Sequence, residues 1–177
     1  MNEVEASQSK PDFVAPPPKN ASERREWDRM SQRMQGFHNY FRQQFQFAMQ
    51  SAEKVGSNED FDVDYYLWQV KDLLRHLEMH HNIEERYIFP ILAKKMPEFD
   101  ATHPDEHKEI HAGMDRTEAY IKRVEKSPSL FSASEMRDIL SSWGFVLFHH
   151  LDAEVASLKA DNLRRYWTLD EVRRLPM

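Results

Sequence analysis

At 177 residues, 40% of them apolar or aromatic, the chain has the size of one ordinary domain with a core of its own. The formal net charge is −6 and no Lys/Arg cluster occurs, which argues against a nucleic-acid partner or an anionic membrane surface. Cysteine is absent, so disulfides, thiolate chemistry and sulfur-ligated metals are excluded. No apolar run approaches the ~20 residues that cross a bilayer, and MNEVEASQSK lacks the apolar segment of a secretory leader. The expectation is a cytoplasmic protein, and four glycines among long periodic segments make it mostly helical.

Residues 1–21 hold four of the nine prolines among polar residues and read as a disordered arm. Residues 22–177 form one domain. A first helix runs from about Ser22 to Val55 and stops at Gly56. A second starts near Asp60 and continues to about Lys95, with a kink expected at Pro90, where the backbone N–H is missing. A third opens at Thr102, whose spacing to Asp105 imitates a capping box, and ends near Lys126. A fourth begins at Ser132, with Glu135 in capping-box position, and reaches about Leu163. A short tail helix starts at Thr168, capped by Glu171. Short connections between long helices predict an all-α, up-down-up-down antiparallel four-helix bundle.

The core stripe of a bundle helix advances by threes and fours. Trp27, Met30, Met34, His38, Phe41, Phe45 and Ala48 make that stripe on the first helix. Leu73, Leu77, His80, Glu84, Tyr87 and Ile91 make it on the second. The third gives His107, Ile110, His111, Met114 and Ile121, and the fourth Met136, Leu140, Trp143, Leu147, His150, Glu154 and Leu158. Five imidazoles and two carboxylates therefore point at one axis. Burying them unpartnered costs at least ~1–3 kcal/mol per group, a sum that rivals a typical net stability of ~5–15 kcal/mol. A cation is the simplest compensation. The donors are too many for one zinc and too rich in nitrogen for magnesium or calcium, whereas imidazole with bridging carboxylate suits two iron ions. Ferritin-like oxidases need two Glu-x-x-His motifs, and this chain has one, Glu78 to His81.

Four segments carry a resemblance: FHNYFR around His38, MHHNIEERYIFPIL with an HxxxEE spacing, EHKEIHAGM with HxxxH, and FHHLDAEVASL with HxxxE. Over roughly residues 27–160 the chain resembles the hemerythrin-like (HHE) domain family, and its tail through LRRYW is most like fungal members. The resemblance implies two iron ions with an oxo or hydroxo bridge: one held by His38 and His80, the other by His107, His111 and His150, with Glu84 and Glu154 bridging. It also implies O2 or NO as a ligand at an open iron position, and Leu147 matches an apolar residue of the oxygen pocket in carriers. Carriers have an aspartate five residues after the last histidine. Here Glu154 lies four after His150, which turns the reading from simple oxygen carriage toward sensing or storage.

The neighbouring polar residues are expected in lesser roles. His76 belongs at the surface or behind a ligand, His81 and Glu85 in solvent or behind the ligands, His103 at the bundle end, and His149 off the inward line. A di-iron oxidase on the same bundle, with His76 or Tyr87 as proton source, is the alternative from a different class, and a bundle with a vestigial site is a third.

Overall fold

The computed structural model describes residues 13–56 and 62–176, and it is all-helical, with no strand among the described residues. The first long segment is two helices, α1 (Ala21–Trp27) and α2 (Arg29–Ser51). They are separated at Asp28, whose carboxylate accepts from the Ala160 backbone N–H at 3.1 Å. A side chain expected inside a helix is thus drawn off to cap another one. A 3-10 turn at Ala52–Lys54 follows, and Gly56, at φ 76°, takes the left-handed conformation that ends the segment.

The expected start near Asp60 lies outside the described residues. α3 (Val63–Ile83) is capped by Asp62, whose carboxylate accepts from Tyr65 N at 2.8 Å. Instead of a simple kink at Pro90, a π-helical turn covers Glu84–Ile88 before α4 (Phe89–Leu92). The Phe89 N–H reaches the Glu84 carbonyl five residues back. In a regular α-helix the Pro90 ring would clash with the Arg86 carbonyl, and the wider turn makes room for it. The extra residue slips the phase of everything downstream. Ile88 and Leu92 are buried, while Tyr87, expected inside, is 62% exposed and Ile91 lies at the margin.

α5 (Thr102–Lys126) has the expected bounds, but its capping box does not form, since Ala101 is the cap and Asp105 pairs with Lys108. α6 (Ala133–Ser157) is capped by Ser132, while the Glu135 carboxylate turns to Arg123. The fourth segment breaks at Leu158–Lys159 and resumes as α7 (Ala160–Leu163), because Asp28 and Asn162 supply hydrogen bonds that let the chain turn there. α8 (Leu169–Val172) carries the expected capping box of Thr168 with Glu171. Of the arm, residues 13–20 form no helix, yet Ala15 is buried and exchanges hydrogen bonds with Arg164. Among the described residues no helix is long and apolar enough to cross a membrane.

α2 lies against α3 and α6, and α5 against the same two. Their apolar faces build two separate clusters. The larger contains Phe45, Leu73, Leu77, Ile110, Ile121, Trp143 and Leu147; the smaller contains Trp27, Met30, Met34, Ile88, Phe99, Leu158 and Leu163. Each large side chain so buried contributes about 1.5–3 kcal/mol. Glycine permits the closest helix contact. A Cβ on Gly113 of α5 would lie 2.3 Å from Cγ of Trp143 on α6. Thr117 ties the two together, donating to the Gly113 carbonyl at 2.9 Å and accepting from Trp143 Nε1 at 3.1 Å. Gly113→Ala therefore forces the indole or the helix to move and should cost about 1–3 kcal/mol. Urea denaturation of the variant against the parent checks this, and an unchanged midpoint would contradict the packing described.

Candidate metal centre

Between the two apolar clusters lies a polar layer. On α2, His38 sits between Met34 of the smaller cluster and Phe41 of the larger. His80 to Glu84 lie between Leu77 and Ile88, His107 between Phe99 and Ile110, and His150 with Glu154 between Leu147 and Leu158. His38, His81, Glu84, His107, His150 and Glu154 are all buried.

Two sets of four donor atoms converge there, the atoms of each set lying within 4.8 Å of one another, and a third set of three, His103, Glu106 and His150, adjoins them. One set of four is His38, His80, Glu84 and Glu154; the other is His81, Glu84, His107 and His150. Glu84 is common to both. Of the seven residues read from the sequence, six fall in these sets and His111 does not. Its Nε2 lies 3.3 Å from Nδ1 of His81, and His81 stands where His111 was expected. The expectation of a solvated His81 is corrected: it is fully buried and its ring stacks on His107 at 3.8 Å between centroids. His111 is left half-buried at the margin of α5. Leu147 is buried in the larger cluster, three residues before His150.

Hydrogen bonds fix which nitrogen of each ring is bare. His38 Nδ1 lies 2.9 Å from the Leu151 carbonyl, His107 Nδ1 2.9 Å from Glu85 Oε1, and His150 Nδ1 3.0 Å from Glu106 Oε2. A carbonyl or a carboxylate only accepts, so Nδ1 carries the proton in each ring, and in the neutral imidazole Nε2 is a lone pair. Two of those lone pairs face each other, His107 Nε2 lying 3.1 Å from His150 Nε2, while His38 Nε2 is 3.3 Å from both His80 Nε2 and Glu154 Oε2. His81 Nε2 and all four carboxylate oxygens of Glu84 and Glu154 are buried without a hydrogen bond. His80 Nε2 does approach Glu84 Oε1 at 2.9 Å, so that carboxylate meets a ring nitrogen but no donor in hydrogen-bonding geometry.

The donor set fits a metal. An ion bonded at ~2.1 Å to two donors at right angles holds them ~3 Å apart, close to the separations here. The protein behind the rings fits as well. Metal-ligating histidine usually passes its second N–H to a carboxylate or carbonyl, and three rings do so.

Charge in the layer follows burial. Burial pushes His80 down to about 4 and His107 down to about 2, the latter helped by His150, and burial lowers His81 too. Burial and then the Glu154 carboxylate push Glu84 up. Burial alone would also raise Glu154, but a proton on any of the surrounding His38, His150 and His80 rings draws it down. Rings that stay neutral at acidic pH keep their lone pairs for a cation.

Two carboxylates stand behind the layer, and one of them, Glu106, went unread in the sequence. Glu85 is half-exposed but holds His107, in line with the expectation that it stands behind the ligands. Glu106 accepts from His150 and, at 3.2 and 3.0 Å, from Nδ1 of His103 and His149. Burial pulls Glu106 up, but the hydrogen bonds from His150 and His103 bring it down to about 2. The His103–Glu106 spacing of three on one helix is the signal that could have found it. His76 lies near the surface, between Tyr40 Oη at 3.3 Å and Asp72 at 3.2 Å.

In the metal-free protein these depressed histidines make stability pH-dependent. An unfolded chain takes up protons below about 6.5, while folded His80 and His107 refuse them down to about 4 and 2. Their contribution is complete above pH 6.5 and is lost progressively as the pH falls. The urea midpoint of metal-free protein should drop steadily from pH 7 to pH 4.5, and a flat profile would show these rings already charged when folded.

The chain is 30% identical, over 118 residues, to the dimeric xanthone biosynthesis cluster protein R11 of Cryptosporiopsis sp. (strain 8999). The match takes in 62% of this chain and 44% of that protein, so the chain spans less than half the length of this curated relative. No solved structure matches it. Residues 29–159 match the hemerythrin HHE cation-binding domain, a span that contains every donor of both sets. The chain belongs to the hemerythrin HHE cation-binding family.

Proposed function

We propose that this is a non-haem di-iron protein for sensing, binding or storing O2 or NO, built on an up-down-up-down antiparallel four-helix bundle. Its ligands in this reading are His38, His80, Glu84 and Glu154 for one ion and His81, Glu84, His107 and His150 for the other, with Glu84 bridging. The observation that carries the reading is the facing pair of bare nitrogens, His107 Nε2 and His150 Nε2, at 3.1 Å in a buried layer. Two lone pairs at that distance repel unless a cation lies between them. Imidazole with carboxylate and no sulfur favours iron. Two ferrous ions held there supply the electrons and the open position that a small diatomic ligand needs.

The protein's own residues do the rest. Glu85, Glu106 and the Leu151 carbonyl orient three rings and fix their tautomers, while Leu77, Ile110 and Leu147 lie on the apolar side of the layer and keep water scarce. A second reading, oxygen-dependent turnover of an organic molecule, is favoured by a cavity of about 590 Å³ against His80 and Glu84. The relative's printed name, which places that protein in a biosynthesis cluster, leans the same way.

Protein loaded anaerobically with ferrous iron should carry two irons per chain and develop near-UV and visible absorption on exposure to air. A colourless, iron-free product would overturn the reading. Glu84→Ala should lose both ions and His111→Ala neither, whereas Glu85→Ala should weaken binding about 10–100-fold by freeing the His107 ring. Elemental analysis of the purified variants decides the assignment, and loss of one iron from His111→Ala would restore that residue as a ligand in place of His81.

A further inference from the structure

One ligand is unlike the rest. The side chains of His38, His107 and His150 are fully buried, but that of His80 is 11% exposed. Its Nδ1 has no protein acceptor among the described residues. His80 and Glu84 form the floor of the cavity noted above, which runs along the groove between α2 and the α3–π-turn segment. Phe37 lies 5.7 Å from His80 and Tyr40 5.7 Å from His76, so one turn forward on α2 meets one turn back on α3.

The walls are apolar side chains that ought to be buried and are not. Phe37 is 52% exposed, Met79 51%, Ile83 49% and Tyr87 62%, all on this one groove. Such a patch on a small domain marks a binding surface. Its volume of about 590 Å³ lies within the ~300–1,000 Å³ of small-molecule pockets and far exceeds the ~30 Å³ of a water-sized ligand. A diatomic gas needs none of this space. Rings from both helices favour a flat aromatic guest over an alkyl chain. At the rim stands Arg33, exposed and with no ion pair or hydrogen bond among the described residues. An unspent guanidinium beside an apolar cavity suits a carboxylate or phenolate.

We propose that this cavity binds a small planar aromatic anion, its rings between Phe37, Ile83 and Tyr87, its acidic group at Arg33 and its edge toward His80 and Glu84. As a substrate site it rests on the second reading above, and as a binding site it stands without it. The walls and Arg33 do not depend on a metal.

The probe is 2-naphthoate, titrated by calorimetry into full-length protein with and without iron, with neutral 2-acetylnaphthalene as its isostere. Saturable one-to-one binding is expected, with naphthoate about tenfold tighter than the ketone, and Arg33→Gln should remove that preference. Ile83→Trp, which fills the cavity, should abolish both. Tyr87→Ser, an exposed wall residue, should weaken both at least about threefold and decides the matter if the tryptophan variant does not fold. In iron-loaded protein naphthoate should also shift the visible bands. No saturation, binding indifferent to Arg33 and Tyr87, or a preference for dodecanoate overturns the proposal. So does binding that requires removal of residues 1–12 or that accompanies dissociation of a dimer, since the occupant is then the chain itself. Naphthoate binding to protein that takes up no iron leaves this proposal standing and sinks the di-iron reading, while iron uptake without naphthoate binding does the reverse.

Discussion

Imidazole lone pairs that face one another across a dry layer are the constraint around which the rest of the molecule is arranged. Each of His38, His107 and His150 has its outer nitrogen committed to an acceptor, so the inner nitrogen cannot be quieted by a tautomer change. Without a cation the layer is a stack of unfavourable contacts, relieved only by protons that burial resists. That is why the core is two clusters rather than one. Apolar side chains close off both sides of the layer, and neither cluster could extend through it without displacing donors. Metal affinity and folding are therefore coupled in this chain, since the same burial that keeps the rings neutral also makes them poor residents of an empty core.

The π turn at Glu84–Ile88 reconciles two demands that a regular helix cannot meet together. Upstream, His80 and His81 both approach donor sets although they are adjacent in sequence and about 100° apart on an α-helix. Downstream, Ile88, Phe89 and Leu92 must pack into the smaller cluster. Widening one turn places Glu84 between the two sets and then re-phases the helix so that its apolar residues return to the core. Pro90 lies immediately after the turn, and the loss of its N–H is absorbed where the hydrogen-bond ladder is already altered.

The regular stripes were legible and the departures from regularity were not. On α2 and α6 every residue of the inward line, including His38, His150 and Glu154, is buried, because steps of three and four follow the real period of an unbroken helix. On α3 the same arithmetic ran through the π turn, so Tyr87 and Ile91 were placed inside and Ile88 and Leu92 were missed. His81, and not His111, joins a converging donor set for a related reason. Both lie at the edges of their stripes, where a rotation of a few tens of degrees decides which ring enters, and periodicity does not resolve so small an angle. The breaks at Asp28 and Lys159 were also invisible, since they depend on a contact between residues 132 apart in the chain. The tail capping box, a local device of Thr168 and Glu171, was legible for the opposite reason.

The layer is closed on one side and open on the other, and this asymmetry gives the centre a direction. Toward α5 and α6 the rings are backed by Glu85 and Glu106, with His103 braced between Glu106 and Ser157. There Glu85, Glu106 and Ser157 are each spent on holding a ring. Toward α2 and α3 the wall is a single histidine, and beyond it an aromatic groove with Arg33 at its rim, neither the His80 Nδ1 nor the guanidinium having a partner among the described residues. A layer that only holds ions gains nothing from such an opening, because water entering past His80 competes for the donors. The exposed Phe37, Met79, Ile83 and Tyr87 cost solubility unless something covers them. One occupant filling the groove would cover those side chains and shield the layer from water, so the face least finished as a protein surface is also the open approach to the donors.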